Sequence, residues 1–398
     1  MVLSGIKFSS TLFILVSSLF LVLSCEKPTY DIHMEAFVAD AHNDILLRVM
    51  EGEDILSYHP ESHSDIEKFK QGGVDLQVFS IWVSPFDDQK SFFQDANDMI
   101  NKLNFLVTRV PDQLNIAKSY QDIMYNNRKN KMSCVIGVEG GHVIGEDIEK
   151  LDILYENGMR YLGLTWNNSN KLASSAKDEY TKGESLPFIG LTDFGKQVVR
   201  RCNEIGVIVD VSHIGEQAFW DVLNTTNDPI IASHSSVYKL CPHYRNLKDP
   251  QIKAIAKTGG AVFINFYPGY IDSTFSEKAN IVNMKYDTEL DMLASKYDTL
   301  SNEYWYEEMK LLKHEKARIA PSINDVVKHI KHVVDLVGID YVGIGSDYDG
   351  VEIMPTGLEN VTKLPFLTKK LIEHGYTIRE VRKILGDNFK RIFKEVCK

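Results

Sequence analysis

The sequence predicts an α/β fold, a (β/α)8 TIM-like barrel, on three observations. Eight short runs rich in Val and Ile recur between residues 37 and 350, apolar on both faces. Segments of helical periodicity separate them. Polar residues of a few recurring types close several of the runs. Strands apolar on both faces belong to parallel sheets covered on both sides. Eight of them alternating with helices close into a barrel. An open doubly wound sheet is the competing arrangement for the same alternation.

The chain has 398 residues, of which 44% are hydrophobic and 25% charged, an ordinary globular composition. It opens differently. Lys7 precedes "FSSTLFILVSSLFLVLS", which ends just before Cys25. This reads as a secretory signal over residues 1–24. "LVLSC" resembles the lipobox of bacterial lipoproteins, which implies lipid on Cys25 and a protein held in the bacterial cell envelope, on the periplasmic or outer face of a membrane. An uncleaved membrane anchor is the alternative. Residues 25–37 are expected as a tether, and 38–398 as one catalytic domain. The formal net charge is −11, and losing Lys7 would leave about −12. So acidic a surface, without any Lys/Arg-rich block, argues against nucleic acid as a partner.

The eight runs are "FVADAHND", "VDLQVFSIWV", "CVIGVEGG", "RYLGLTW", "VIVDVSH", "PIIASHS", "GAVFINFY" and "YVGIGSDYDG". Between them, "DFGKQVVRRCNEIG" and "SINDVVKHIKHVVDLVG" are the clearest helices. In the second, Ser322 can cap the start. Ile323, Val326, Val327, Ile330, Val333, Val334 and Val337 form one stripe, and Gly338 ends it. Residues 273–320 are long, charged and helical in pattern. They predict an elaborated loop after the seventh strand, beside the active-site face. Cys134, Cys202, Cys241 and Cys397 fit no zinc-knuckle spacing and read as small buried apolar residues.

Strand ends on the C-terminal side of a barrel share one mouth. His42 and Asp44 end the first run, Glu139 the third, His213 the fifth, His234 the sixth and Asp347 the eighth. His42 and Asp44 are two apart, so a regular strand puts both on one face. A lone histidine there is more often a satisfied core residue. Six unpaired polar groups at strand ends would each cost a few kcal/mol without a ligand. Three imidazoles and three carboxylates suit two Zn2+ ions, with Glu139 as the shared bridge. The other histidines, among them His33, His59, His314 and His374, are expected at the surface. His142 is expected as scaffold behind Glu139.

The motifs HND, "IGVEGGH", "DVSH", "SHSS…RN" and "GIGSDYDG", with "RYLGLTW" and "LGDNFKRIF", resemble the membrane dipeptidase (renal dipeptidase) family of zinc peptidases, from about Val38 to Phe393. The resemblance implies a metal-dependent amidohydrolase-type barrel that hydrolyses dipeptides, some with a C-terminal D-residue, and that is often a homodimer. It assigns His42, Asp44 and Asp347 to one zinc and His213 and His234 to the other, with Glu139 bridging. Asp347 would move the proton from water to the leaving amine. Arg245 would pair with the substrate's C-terminal carboxylate, and Tyr270 would line the pocket. One position departs: Trp166 stands where mammalian members carry a histidine thought to stabilise the tetrahedral intermediate. An indole donates one hydrogen bond but carries neither charge nor proton, so Asn167 or Asn168 would have to supply the donor. Two other readings compete: a different dizinc amide or lactone hydrolase, and a non-catalytic peptide-binding lipoprotein.

Overall fold

The structure is a computed structural model that describes residues 28–86, 91–299 and 301–397. The signal segment and Cys25 lie outside the described residues. Among those described, the strands are β1 (Ala39–Asn43), β2 (Leu76–Trp82), β3 (Leu114–Ile116), β4 (Met132–Glu139), β5 (Met159–Gly163), β6 (Ile208–Asp210), β7 (Ile231–Ala232), β8 (Ala261–Ile264) and β9 (Val342–Ile344). All pairings between them are parallel. The ladder from Leu76↔Ser133 to Trp82↔Glu139 joins β2 to β4 and closes the sheet, so the barrel and not the open sheet is observed. The eight expected strands form the closed ring. β3 is an addition: it pairs with Met132–Cys134, and β5 takes over that edge of β4 from Ile136.

The helix Ile323–Val337 follows its stripe. Asp325 accepts from the Ser322 backbone N–H (2.8 Å) and hydroxyl (2.9 Å), and Gly338 ends the helix at φ 102°. His329 also lies on the buried face. Its Nδ1 accepts from the Val237 N–H (3.0 Å), and its Nε2 reaches the Ile271 carbonyl (3.1 Å). His33 corrects the surface expectation too. It is fully buried, bound through Nδ1 to Thr368 Oγ1 (2.7 Å) and through Nε2 to the Gly72 carbonyl (2.8 Å). It anchors the helix Thr29–Met34, so the expected tether joins the packed body from Thr29. His314 and His374 are exposed, and His59 is half-buried. The segment after the seventh barrel strand forms helices Phe275–Lys285, Asp287–Lys296 and Asn302–Arg318. All four described cysteines are buried and free. No described helix is long and apolar enough to cross a membrane.

The lumen is filled by Ala39, Ala41, Val78, Val135, Tyr161, Ile231, Ala261 and Phe263. The C-terminal helix Asn388–Val396 packs Phe389, Ile392 and Phe393 into the same cluster. Small residues make room for large ones. A Cβ at Gly137 on β4 would lie 2.2 Å from the Tyr161 ring. Replacing Gly137 by Ala must therefore displace a fully buried tyrosine. We expect Gly137→Ala to cost about 1–3 kcal/mol, the usual range for overpacking, measured by urea unfolding. An unchanged midpoint would show that Tyr161 is not held as described.

Candidate metal centre

The barrel brings all six expected side chains to its C-terminal mouth, each 8% exposed or less. They do not arrive there by simple alternation. Asp40 pairs with Gln77 but Asn43 with Phe79, so β1 carries one extra residue, a bulge that changes which way its last side chains point. The strand ends at Asn43. Asp44 is the residue before the helix Ile45–Met50 and not a strand neighbour of His42, which corrects the expectation of a shared strand face. The turn after β9 approaches from the other side. Asp347 and Asp349 sit at φ 63° and 62°, a left-handed conformation that aspartate tolerates better than most residues. The Asp44 N–H donates to the Tyr348 carbonyl (2.9 Å), and the Asp347 N–H to the His42 carbonyl (3.2 Å). The two chain ends are thereby laced together.

Glu139 lies at the middle. Its Oε1 is 2.9 Å from His213 Nε2 and 3.3 Å from His234 Nε2, and its Oε2 is 3.4 Å from His42 Nε2. Asp44 Oδ2 is 3.3 Å from the same His42 nitrogen. Each imidazole turns Nε2 inward, and its Nδ1 is held from outside. Tyr161 Oη holds His42 (2.8 Å), Asn167 Oδ1 holds His213 (3.1 Å) and Ser233 Oγ holds His234 (2.8 Å). Such outer bonds fix ring orientation and tautomer, as around metal-ligating histidines. Asn167 thus spends its carbonyl on orienting His213. Asn265 Nδ2 donates to Asp347 Oδ2 (2.8 Å), and Ser80 Oγ to Glu139 Oε2 (3.2 Å).

Electrostatics follow from burial and mutual proximity. Burial pushes Asp347 up to about 7, and the charges of Asp44 and Glu139 add to this against the pull of His42. Burial, reinforced by the Arg245 cation, lowers His213 to about 4, which keeps it a neutral donor of electrons. Burial opposes the charge on Glu139, but His42 and the close contacts of His213 and His234 outweigh it and hold the carboxyl well below its usual range.

The donor set fits divalent metal. Ligand-type atoms of His42, Glu139 and His234, and of His42, Asp44 and Asp347, each fall within 4.8 Å of one another. His42 Nε2 is buried without a hydrogen-bond partner. Gly350 leaves the carboxylates room, since a Cβ there would stand 2.2 Å from Asp44 Oδ2 and 2.5 Å from Asp347 Oδ1. Arg245 adjoins the cluster, 1% exposed. Its Nη2 is 3.0 Å from His213 Nε2, Nη1 donates to the Ser212 carbonyl, and Nε has no partner. Tyr270 lies against it, 5.4 Å from ring centre to guanidinium. Trp166 is 6.4 Å from His213 and packs edge-on to Trp82 (5.1 Å) and Phe86 (6.2 Å). His142 binds the Val83 carbonyl (3.0 Å), a scaffold position.

Sequence reasoning passed over Tyr161, Ser233 and Asn265. Asn265 had a visible signal, a polar residue ending the seventh run. Tyr161 and Ser233 sit inside apolar runs and had none.

Comparison with known proteins agrees with this geometry. The profile of the membrane dipeptidase family, peptidase family M19, matches residues 27–398. An uncharacterized dipeptidase of Schizosaccharomyces pombe, C965.12, is 30% identical over 384 residues, covering 92% of this chain and 82% of its own. The probable dipeptidase PvdM of Pseudomonas aeruginosa shares the fold at a TM-score of 0.76 and 25% identity, over 92% of this chain and 97% of that one. A metallo peptidase of Rhodobacter sphaeroides, liganded with a phosphinate mimic of the dipeptide L-Ala-D-Ala, aligns at 0.72 and 23% identity, over 91% and 99%. The chain belongs to the membrane dipeptidase family of metallopeptidases.

Proposed function

We propose that the protein is a dizinc dipeptidase that cleaves the single peptide bond of free dipeptides. The observation that carries this reading is the convergence of six N/O side chains, His42 being common to both ligand-type groups and His213 joined to them at Glu139 Oε1 (2.9 Å), with Arg245 beside them. In it His42, Asp44 and Asp347 hold one ion, His213 and His234 the other, and Glu139 both. Bound zinc would supply a hydroxide at neutral pH and polarise the scissile carbonyl. The chain's own groups do the rest. With His213 Nε2 engaged as a ligand, Nη2 of Arg245 keeps its bond to the His234 carbonyl (3.3 Å) and turns its other N–H free, which joins the free Nε as a two-donor edge for the substrate's carboxylate. Asn265 holds Oδ2 of Asp347, so Oδ1 takes the proton from water and passes it to the leaving amine.

Trp166, with Trp82 and Phe86, forms an aromatic wall for the N-terminal residue. We include L,D-dipeptides among the substrates because the Rhodobacter sphaeroides relative was liganded with a mimic of one. We place the protein in the bacterial cell envelope, lipid-anchored through Cys25, on the strength of "LVLSC" and the apolar stretch before it. Trp166 is the one residue that favours the second reading, a dizinc hydrolase of other amides or lactones.

Two outcomes are expected of the mature chain supplied with zinc. First, Asp44→Asn lowers bound metal, measured by elemental analysis, together with dipeptide hydrolysis, by at least about a hundredfold. A fully metallated and active variant would remove Asp44 from the ligand set. Second, Arg245→Ala lowers kcat/KM for Ala-Ala by about a hundredfold or more, the scale of losing one partner of a buried charge pair. The C-terminal amide should be a poor substrate for both proteins. Equal cleavage of acid and amide would favour the other hydrolase.

A further inference from the structure

Beside the metal centre is a cavity of about 430 Å3. It lies between the helix Ala176–Lys182, the loop after β6 and the loop after β7. Arg245 and Ser212 line it, and the same Arg245 touches His213 at 3.0 Å. Arg245 therefore borders both the cavity and the metal centre. Tyr180 stacks on Tyr244 (5.2 Å, 27° between planes) at its rim, and the His243 ring lies tilted against Tyr244 at 4.2 Å. Burial, with the Arg245 cation beside it, lowers His243 to about 4, so this ring is a neutral wall near pH 7. Val211, Ile214 and Leu247 supply the apolar side.

The other charges that line it are already matched. Lys248 Nζ donates to Glu216 at 2.7 Å. Glu179 accepts from Ser174 Oγ (2.6 Å) and from the Glu216 N–H (2.9 Å) at the start of helix Glu216–Leu223. A charged guest would have to break these bonds, whereas a neutral aromatic one would not.

We propose that this cavity receives the side chain of the substrate's C-terminal residue and selects dipeptides that end in a large neutral aromatic. The inference rests on the dipeptidase reading with the carboxylate on Arg245. A carboxylate held there puts the adjoining Cα beside the guanidinium, and the cavity is the space next to it. Its volume lies in the range of small-molecule pockets, so a methyl group would leave most of it wet. A phenol or indole would displace that water, meet Tyr180, Tyr244 and His243 in stacked or edge contact, and keep its polar tip toward the Glu216–Lys248 rim.

The test compares kcat/KM of the zinc-loaded protein for Ala-Gly, Ala-Leu, Ala-Lys, Ala-Tyr and Ala-Trp. Ala-Tyr and Ala-Trp should exceed Ala-Gly by roughly tenfold or more, with Ala-Leu between and Ala-Lys below Ala-Leu. Tyr180 is 74% exposed, so Tyr180→Ala should fold. It should cut the Ala-Tyr to Ala-Gly ratio about fivefold, mainly through KM, and Tyr180→Phe should restore it. A flat series, or a ratio indifferent to Tyr180→Ala, overturns the cavity's role and leaves the dipeptidase reading standing. No cleavage of any of the five overturns both.

Discussion

Three carboxylates and three imidazoles share one buried mouth, and the repulsion among like charges in such a place is the constraint around which the rest is arranged. Burial chiefly pushes the Asp347 carboxyl up, with repulsion from Asp44 and Glu139 adding to it, while His42 and the imidazoles of His213 and His234 hold Glu139 well below its usual range. The groups that orient the three rings are a phenol, a primary amide and a hydroxyl, not carboxylates. Two more aspartates lie close below. Asp40 is bound by the Ser346 N–H (2.8 Å) and hydroxyl (2.6 Å), and Asp210 by Ser212 Oγ (2.7 Å) and Ser233 Oγ (2.8 Å). Asp210 reaches the His234 ring through Ser233 Oγ and the His234 N–H through Ser212 Oγ. Charges that repel one another when alone are what a pair of divalent cations needs.

The lumen supports this arrangement through size. Alanines and glycines on the strands leave space for Tyr161, and Tyr161 is the group that fixes His42. A packing decision in the core thus reaches the site through one hydroxyl. The bulge in β1 and the left-handed turn at Asp347–Asp349 do the complementary work on the backbone. Asp349 accepts from the His63 N–H (3.1 Å), Arg48 (3.4 Å) and Ser64 Oγ, so residues 59–64 brace the turn that carries Asp347. Departures from ideal geometry gather where function is placed, as strain at such sites commonly does.

The barrel was legible because parallel strands buried on both faces leave unbroken apolar runs, and the six ligand-type residues because each interrupts such a run at its end. The limits have the same kind of cause. β3 shows no pattern because Asn115 interrupts it and it lies in no apolar run, whereas the equally short β6 and β9 sit inside longer ones. A bulge shifts phase without changing composition, so Asp44 was assigned to a strand it does not belong to. His33 and His329 look like surface histidines because their partners, Thr368 and Gly72 in one case, Val237 and Ile271 in the other, are distant in sequence. Tyr161 and Ser233 read as core because their hydroxyls matter only once the ring beside them is known.

The position of Arg245 bears on why one peptide bond, and not a longer chain, suits this mouth. Its Nη2 stands 3.0 Å from a nitrogen that faces the metal centre. Consecutive Cα atoms are about 3.8 Å apart. In the proposed reading, a carboxylate on the guanidinium would put only the C-terminal residue between it and a bond held over Glu139. On the other side, Trp166 stands 6.4 Å from His213 with Trp82 and Phe86 against it. In the proposed reading, a substrate fixed at Arg245 would meet this wall with its N-terminal residue, and the indoles would limit its length. Trp166, which stands where the resemblance to mammalian members implies a histidine, would then contribute shape in place of charge.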